Sequence, residues 1–155
     1  MSFAADVKKW AKKAKLKQRT VIGFVRLNLS NKILLKTPVD TGTARESWLP
    51  SIGTPNTKGG KSSQIGIMNT AFSSTDKTYY LTNNLPYIGV LEYGGYPNPV
   101  KRGSYLKTGQ QKGNYTGPGW FKFSKGGFSK QAPQGMVRVT VAEFQAVVGE
   151  AVRVA

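Results

Sequence analysis

The sequence contains no cysteine and no histidine among its 155 residues. Without cysteine, neither a disulfide nor a thiolate metal site can form. Without histidine, the chain lacks the commonest general base and the commonest transition-metal ligand. Acidic residues are scarce as well, since Asp and Glu together number 7 and are spread along the chain. The sequence therefore predicts neither an enzyme nor a cofactor or metal site.

Long apolar runs are also missing. No stretch approaches the roughly 20 apolar residues that a membrane-spanning helix needs. The N-terminal residues are basic but lack the apolar core and cleavage site of a signal peptide, so we predict none. Hydrophobic residues make up 39% of the chain, while Gly and Pro number 18 and 8. We expect a single domain over residues 1–155, with a compact part and substantial irregular chain.

Positive charge is what the chain has in excess, with a formal net charge of +16. Residues 1–36 hold most of the cations of the first half of the chain and only one acid, Asp6. The basic face that we expect there comprises Lys8, Lys9, Lys12, Lys13, Lys15, Lys17 and Arg19. Such a face attracts an acidic protein or nucleic acid, although a solvated helix face is the plain alternative. A membrane-surface helix is disfavoured, because the following residues give this helix a core partner.

Apolar residues recur at intervals of three, four or seven from Phe3 to Leu35, which predicts one long helix. They are Phe3, Val7, Trp10, Ala14, Val21, Val25, Leu29 and Ile33. The second half of this pattern is apolar on more than one face, so we expect it to pack on a sheet. The first half is expected to project from the domain or to contact another subunit.

The run from 37 to 48 predicts a corner between the helix and a strand. Its informative residues are Pro38, Asp40, Gly42, Arg45 and Trp48. Pro38 cannot continue a helix and disfavours the α region for the residue before it. Gly42 can adopt a positive φ in a turn. Trp48 is expected to be buried between the first helix and the sheet.

Three short strands are predicted next, at Glu46–Ile52, Gln64–Asn69 and Thr78–Thr82, as an antiparallel meander. Gly53–Ser63 is predicted to form a flexible hairpin tip between the first two of these strands. Pro86 suits the first turn of a short helix, which Gly94 ends. On that helix the candidate subunit-interface residues are Tyr87, Glu92 and Tyr93, with internal packing and a surface carboxylate as the alternative.

Residues 95–130 are rich in glycine, basic residues and aromatics, without a convincing helical or strand period. We interpret them as an extended arm that lies on a neighbouring subunit, where aromatic side chains are favoured. Binding of single-stranded nucleic acid by stacking is the alternative. The candidate contact residues are Tyr105, Tyr115, Trp120, Phe121 and Phe123.

Helical spacing returns in residues 131–155, with apolar residues at Val137, Val141, Phe144, Val148 and Ala151. A strand over Met136–Val141 is the competing interpretation. The predicted fold is therefore α+β: long N-terminal and C-terminal helices pack on a small antiparallel sheet, and a long irregular arm precedes the last helix.

Three stretches together carry a resemblance to a known family. They read T-P-V-D-T-G-x-x-R-x-S-W from Thr37, N-x-x-P-Y-x-x-x-L-E-Y-G from Asn83, and Q-A-P-Q-G-M-V-R from Gln131. Their order and spacing resemble those of the head–tail joining, or tail completion, proteins of long-tailed bacteriophages. That broad group includes the phage lambda minor tail protein Z.

The resemblance implies a structural virion protein that forms a homo-oligomeric ring, hexameric or alternatively dodecameric, where the phage head meets the tail. The implied partners are the tail terminator or tail tube and the head connector, with non-specific contact to genomic DNA in the channel. The implied locations are the virion and, during assembly, the host cytoplasm. Charge alone supports an alternative, a nucleic-acid-binding protein that uses the basic helix and the basic, aromatic arm.

Overall fold

The computed structural model describes residues 3–95 and 127–154. They form an α+β fold, as the sequence predicts. In chain order the elements are α1 (Phe3–Lys36), α2 (Thr43–Glu46), β1 (Leu49–Ile52), α3 (Gln64–Ala71), β2 (Tyr79–Thr82), α4 (Ile88–Tyr93), α5 (Val137–Ala142) and α6 (Phe144–Val154).

Helix α1 is a single helix of 34 residues, which confirms the periodicity from Phe3 to Leu35. At about 1.5 Å per residue it is about 50 Å long. Side chains 6–19 are exposed apart from that of Ala11, whereas burial begins at Thr20, and Gly23, Ser30 and Ile33 are buried. The first half of α1 therefore projects beyond the packed part of the domain, as expected.

Within the described residues the sheet has two strands, β1 and β2, which pair antiparallel with Leu49 opposite Thr82 and Ile52 opposite Tyr79. The prediction of a strand at Gln64–Asn69 is wrong, because these residues belong to α3. The Ser63 hydroxyl caps this helix by accepting a hydrogen bond from the Gly66 amide at 3.1 Å. Ile67 and Ala71, four residues apart, are the buried positions of its inner face.

The first strand is shorter than predicted, since Thr43–Glu46 forms α2 and β1 begins only at Leu49. Instead of the predicted three-stranded meander, this part of the chain forms a strand, a helix and a second strand. Helix α3 fills the connection and packs against α1 and β1. The predicted short helix after Pro86 is confirmed as α4, which ends at Gly94 with φ of 73°.

Helices α5 and α6 follow each other with a break at Glu143, so the helical interpretation of residues 137–154 is confirmed over the strand. Helix α6 packs on α1. Glu143 accepts bonds from Lys32 and Lys36, both at 2.6 Å, and Glu150 accepts one from Asn28 at 3.5 Å. The order of these pairs shows that α6 runs antiparallel to α1. The two lysines lower the pKa of Glu143 to about 2.

The core forms where α1, the corner and the C-terminal segment meet. Its buried members are Ile33, Trp48, Ala132 and Met136. Partly buried side chains packed around them come from α1, β2, α4 and α5: Leu34, Leu81, Ile88, Leu91 and Val137. The predicted burial of Trp48 is confirmed.

Helix α3 approaches α1 closely at Gly23, and this contact supports a first testable prediction. A Cβ atom at Gly23 would lie 2.2 Å from Cδ1 of Phe72, whose ring meets Phe24 edge-on at 5.7 Å. We expect Gly23→Ala to lower the free energy of unfolding by about 1–3 kcal/mol, because overpacking outweighs the gain in helix propensity. Chemical denaturation measures the difference.

The matched control is Gly149→Ala in α6, where an added Cβ meets nothing within 4 Å. This variant should be as stable as the parent, or up to about 1 kcal/mol more stable, since alanine favours helix. Equal stabilisation by both substitutions would show that the two helices do not approach each other at Gly23.

Candidate functional site

The corner after α1 is held by a buried hydrogen-bond chain. The Thr37 hydroxyl donates to the Ile33 carbonyl at 2.7 Å and accepts from Nε1 of Trp48 at 2.8 Å. Arg45 donates to the Thr37 carbonyl at 3.2 Å and to the Leu35 carbonyl at 3.4 Å. A cation at these carbonyls complements the negative end of α1. The corner residues thus terminate the helix and fix the indole in the core.

The remaining corner residues lie at the surface of this turn. Pro38 is half-buried and Asp40 is exposed. Gly42 precedes α2 with a φ of 88°, so the predicted positive φ is confirmed. Glycine adopts this conformation without the strain that a Cβ atom would introduce.

Glu92 of α4 is buried, in contrast to the alternative of a surface carboxylate. Its side chain is 8% exposed and accepts hydrogen bonds from the amides of Met136, Val137 and Arg138 at 2.7, 2.8 and 2.9 Å. Nε of Arg138 adds a contact to the same carboxylate at 3.3 Å. Glu92 therefore caps the start of α5 from a distant part of the chain.

Burial raises the pKa of Glu92. The three amide bonds and Arg138 lower it by a larger total amount, so the net shift of the pKa is downward. The carboxylate remains charged in the folded protein. Gly135 precedes this cap with a φ of 84°, and a Cβ there would lie 2.5 Å from the Glu92 carbonyl oxygen. Only glycine fits this approach.

Two side-chain amides, those of Gln131 and Asn83, connect further segments to the corner after α1. Gln131 accepts from the Val39 amide at 2.8 Å and donates to the Val39 carbonyl at 2.9 Å. Asn83 donates to the Ala44 carbonyl at 2.8 Å. The three sequence stretches that begin at Thr37, Asn83 and Gln131 are thus joined in space. We call this region the motif junction.

Of the candidate interface residues in and just before α4, one lies in the motif junction and two lie at the surface. Glu92 lies inside the junction, whereas Tyr87 and Tyr93 are 42% and 69% exposed. The Arg138 guanidinium lies over the Tyr93 ring, 5.2 Å from its centre. Tyr93 is therefore an exposed aromatic side chain next to the junction. The arm candidates Tyr105, Tyr115, Trp120, Phe121 and Phe123 lie outside the described residues.

The C-terminal end of the predicted arm is in fact part of the packed domain. Gly127 and Ser129 are buried. The Ser129 hydroxyl accepts from the Gln131 amide at 3.3 Å, and its carbonyl accepts from the Ala132 amide at 3.0 Å. Residues 127–129 therefore pack on the domain and lead to the core residue Ala132.

The predicted basic face is exposed along the projecting half of α1, but one of its residues has a different role. Its exposed side chains are Lys8, Lys9, Lys12, Lys13, Lys15, Lys17 and Arg19. Arg19, although exposed, donates from Nη2 and Nε to the Phe72 carbonyl at 2.9 and 3.2 Å. Its guanidinium binds the C-terminal end of α3, so it belongs to the body of the domain.

Arg26 has a similar role that the sequence did not suggest. It donates to the carbonyls of Ala71, Ser74 and Lys77, the last at 2.9 Å, and lies 5.5 Å from the centre of the Tyr79 ring. Two arginines of α1 thus satisfy the free carbonyls after α3. These acceptors are backbone carbonyl oxygens, so the pattern of side chains in the sequence does not predict these hydrogen bonds.

Among the described residues, no cluster of acidic side chains could hold a metal ion. In the same part of the chain, no helix is long and apolar enough to cross a membrane. The features that stand out are the motif junction, the exposed Tyr93 and the lysines of the projecting helix.

Comparisons of this chain with protein-family models, curated proteins and solved structures find no match.

Proposed function

We propose that this protein is a structural component of a tailed-phage virion and forms a ring at the head–tail junction. The observation that carries the proposal is the motif junction. The three stretches that resemble tail completion proteins are far apart in sequence, yet Gln131 contacts Val39 and Asn83 contacts Ala44. Joint packing gives one physical reason why the three stretches occur together.

In this proposal the ring joins the tail terminator or tail tube to the head connector around the DNA channel. The surfaces available for such contacts are the projecting half of α1 and the exposed Tyr87 and Tyr93 beside the junction. Aromatic side chains of this kind are favoured in protein interfaces. The role is structural rather than catalytic, and it needs no cofactor.

The direct test measures the mass of the purified protein alone and after mixing with head connectors and tails. We expect self-association or binding to these partners without nucleic acid. A protein that stays monomeric and binds neither partner would contradict the proposal.

Nucleic-acid binding is a second candidate, and the exposed lysines of the projecting helix favour it. Six lysines lie within ten residues, between Lys8 and Lys17. Phosphate contacts by lysines give an affinity that falls steeply with salt concentration. Tight, salt-sensitive binding of duplex or single-stranded DNA by the isolated protein would support this function over the first.

A second testable prediction concerns these lysines. Changing Lys8, Lys9, Lys12 and Lys13 together to Gln should leave the fold intact, because glutamine has similar helix propensity. Joining of heads to tails should become weaker and more salt-sensitive, because the face loses four charges in every copy of the ring. The measurement is the yield of joined particles across a salt series.

The control for this experiment removes exposed charge from the body of the domain by changing Lys58 and Lys77 to Gln. Joining should then be normal at every salt concentration. A normal yield from the four-lysine variant would show that the lysines of α1 only solvate an outer face.

A further inference from the structure

The apolar stripe of α1 extends beyond the helix that covers it. Helix α6 runs antiparallel to α1, with Glu150 opposite Asn28, and ends at Val154. Toward its N-terminus α1 continues beyond this cover for more than a dozen residues. On the same helix face there, Trp10 is 71% exposed and Val7 is 46% exposed. We define the stripe by Val7, Trp10 and Ala14, whose spacing of three and four places them on one face.

The packed half of the domain carries an apolar groove in line with this stripe. The groove has a volume of about 540 Å³ and lies between α1, β2 and α6. Its apolar lining includes Val21, Val25, Leu29, Leu81, Phe144 and Val148. Val21 and Val25 continue the helix face of the stripe, so the groove and the stripe are two parts of one apolar surface.

The stripe cannot enter the groove of its own chain, because α1 is one unbroken helix. The two surfaces nevertheless match in length. From Val7 to Ala14 the stripe spans about 10 Å, and from Val21 to Leu29 the groove spans about 12 Å, at about 1.5 Å per residue. An amphipathic helix in an apolar groove is a common way in which proteins recognise each other.

We propose that the projecting helix of one copy docks its stripe into the groove of a second copy. This inference rests on the proposed ring, for which it supplies the contact between neighbours. Each copy donates one helix and receives one, which is a head-to-tail arrangement, and such an arrangement closes into a ring when the rotation between neighbours closes. Each copy therefore takes part in two such contacts, and both add to its buried surface.

The charges favour a second copy over nucleic acid as the occupant of the groove. The groove wall that α6 supplies, Phe144 and Val148, is uncharged in a chain of net charge +16. Among the described lining residues the one charged side chain is Arg26, whose guanidinium is hydrogen-bonded to the Ala71 and Lys77 carbonyls. With the stripe docked, Lys8, Lys9 and Lys12 face away from the groove because they lie on the opposite side of the helix. DNA would contact those lysines and leave Trp10 in water.

The absence of cysteine makes a cross-linking experiment direct. Val7→Cys is prepared in one batch and Val148→Cys in another, and the two are mixed with a bismaleimide linker. The expected product is a covalent pair that contains one copy of each variant. The matched control is Lys12→Cys, on the opposite face of the same helix, which should cross-link to Val148→Cys at least about tenfold less. Equal yields from Val7→Cys and Lys12→Cys would overturn the proposal.

A second measurement uses the wild-type chain and Trp10→Asp. Trp10 is largely exposed within one copy, so the variant should unfold at the same temperature as the wild type at a concentration where both are monomeric. Its self-association should be at least about tenfold weaker, as for loss of a central aromatic anchor. Light scattering over a concentration series measures this difference.

The outcomes separate this inference from the function on which it rests. If the wild type and Trp10→Asp assemble equally well, the docking contact is wrong and the proposed ring stands. If the wild type stays monomeric, its joining to heads and tails still tests the proposed function, but the docking contact is overturned. A monomer whose Trp10 becomes buried only on anionic lipid vesicles would assign the stripe to a membrane surface and also overturn it.

Discussion

Replacing Trp48 with alanine should lower the free energy of unfolding by about 3–5 kcal/mol. The indole is 6% exposed and packs with Ile33 and Met136, so the substitution leaves a large cavity in the only core cluster found among the described residues. The variant also loses the bond from Nε1 to the Thr37 hydroxyl. Urea denaturation followed by circular dichroism measures the change.

Two further variants separate the loss of apolar volume at Trp48 from the loss of its hydrogen bond and from the effect of removing an exposed tryptophan. Trp48→Phe keeps most of the apolar volume and removes the indole N–H, so it should cost less, about 1–2 kcal/mol. Trp10→Ala, at an exposed position, should leave stability nearly unchanged. A Trp48→Ala variant as stable as Trp10→Ala would remove Trp48 from the core.

Replacing Glu92 with glutamine should cost about 2–4 kcal/mol, because hydrogen bonds to a charged and buried group are strong. The glutamine amide nitrogen cannot accept the bonds that the carboxylate takes from Met136, Val137 and Arg138. The start of α5 should then detach first. Hydrogen exchange of the Val137 and Arg138 amides should accelerate more than exchange in α3.

The same carboxylate predicts a dependence on pH. Its pKa in the folded protein is below its ordinary value of 4.5. Its stabilising contribution is therefore complete above pH of about 4.5 and is lost as pH falls through the lower folded-state pKa. Glu92→Gln should reduce the loss of stability between neutral and acidic pH.

Glu46→Gln is the matched control for the acid series, since Glu46 pairs with Lys61 at the exposed surface. This variant should have little effect on stability and should retain the acid sensitivity of the parent. Parallel pH profiles for Glu92→Gln and the wild type would show that the cap does not depend on the charge of Glu92.

The parts of the fold that follow a local period could be predicted from the sequence. The spacing of apolar residues identifies α1 and the helical C-terminal segment, and Pro38 places the corner between α1 and the sheet. Helix α3 was mistaken for a strand because Ile65 and Ile67 alternate with other residues over a short window. The decisive features are the Ser63 cap and the packing of α3 on α1, which alternation does not reveal.

The sequence identifies the three stretches of the motif junction but does not predict the contacts that join them. Glu92 resembles a surface carboxylate in sequence, and its partners lie 44–46 residues further along the chain. Arg19 was grouped with the lysines by charge, although its acceptors are the carbonyls of Phe72 and Ser73. Long-range bonds to backbone atoms carry no side-chain signal. Their location therefore required the folded structure.

The antiparallel pairing of α1 with α6 has a consequence for synthesis of the chain. Lys32 and Glu143 are 111 residues apart, and Asn28 and Glu150 are 122 apart. A ribosome that adds about 5–20 residues per second takes roughly 6–24 s to synthesise this stretch of chain. During that time α1 has left the ribosome without the helix that covers its apolar face. Folding is therefore completed only after translation of α6, and a nascent chain that stops before α5 presents an uncovered basic, amphipathic helix to chaperones and proteases.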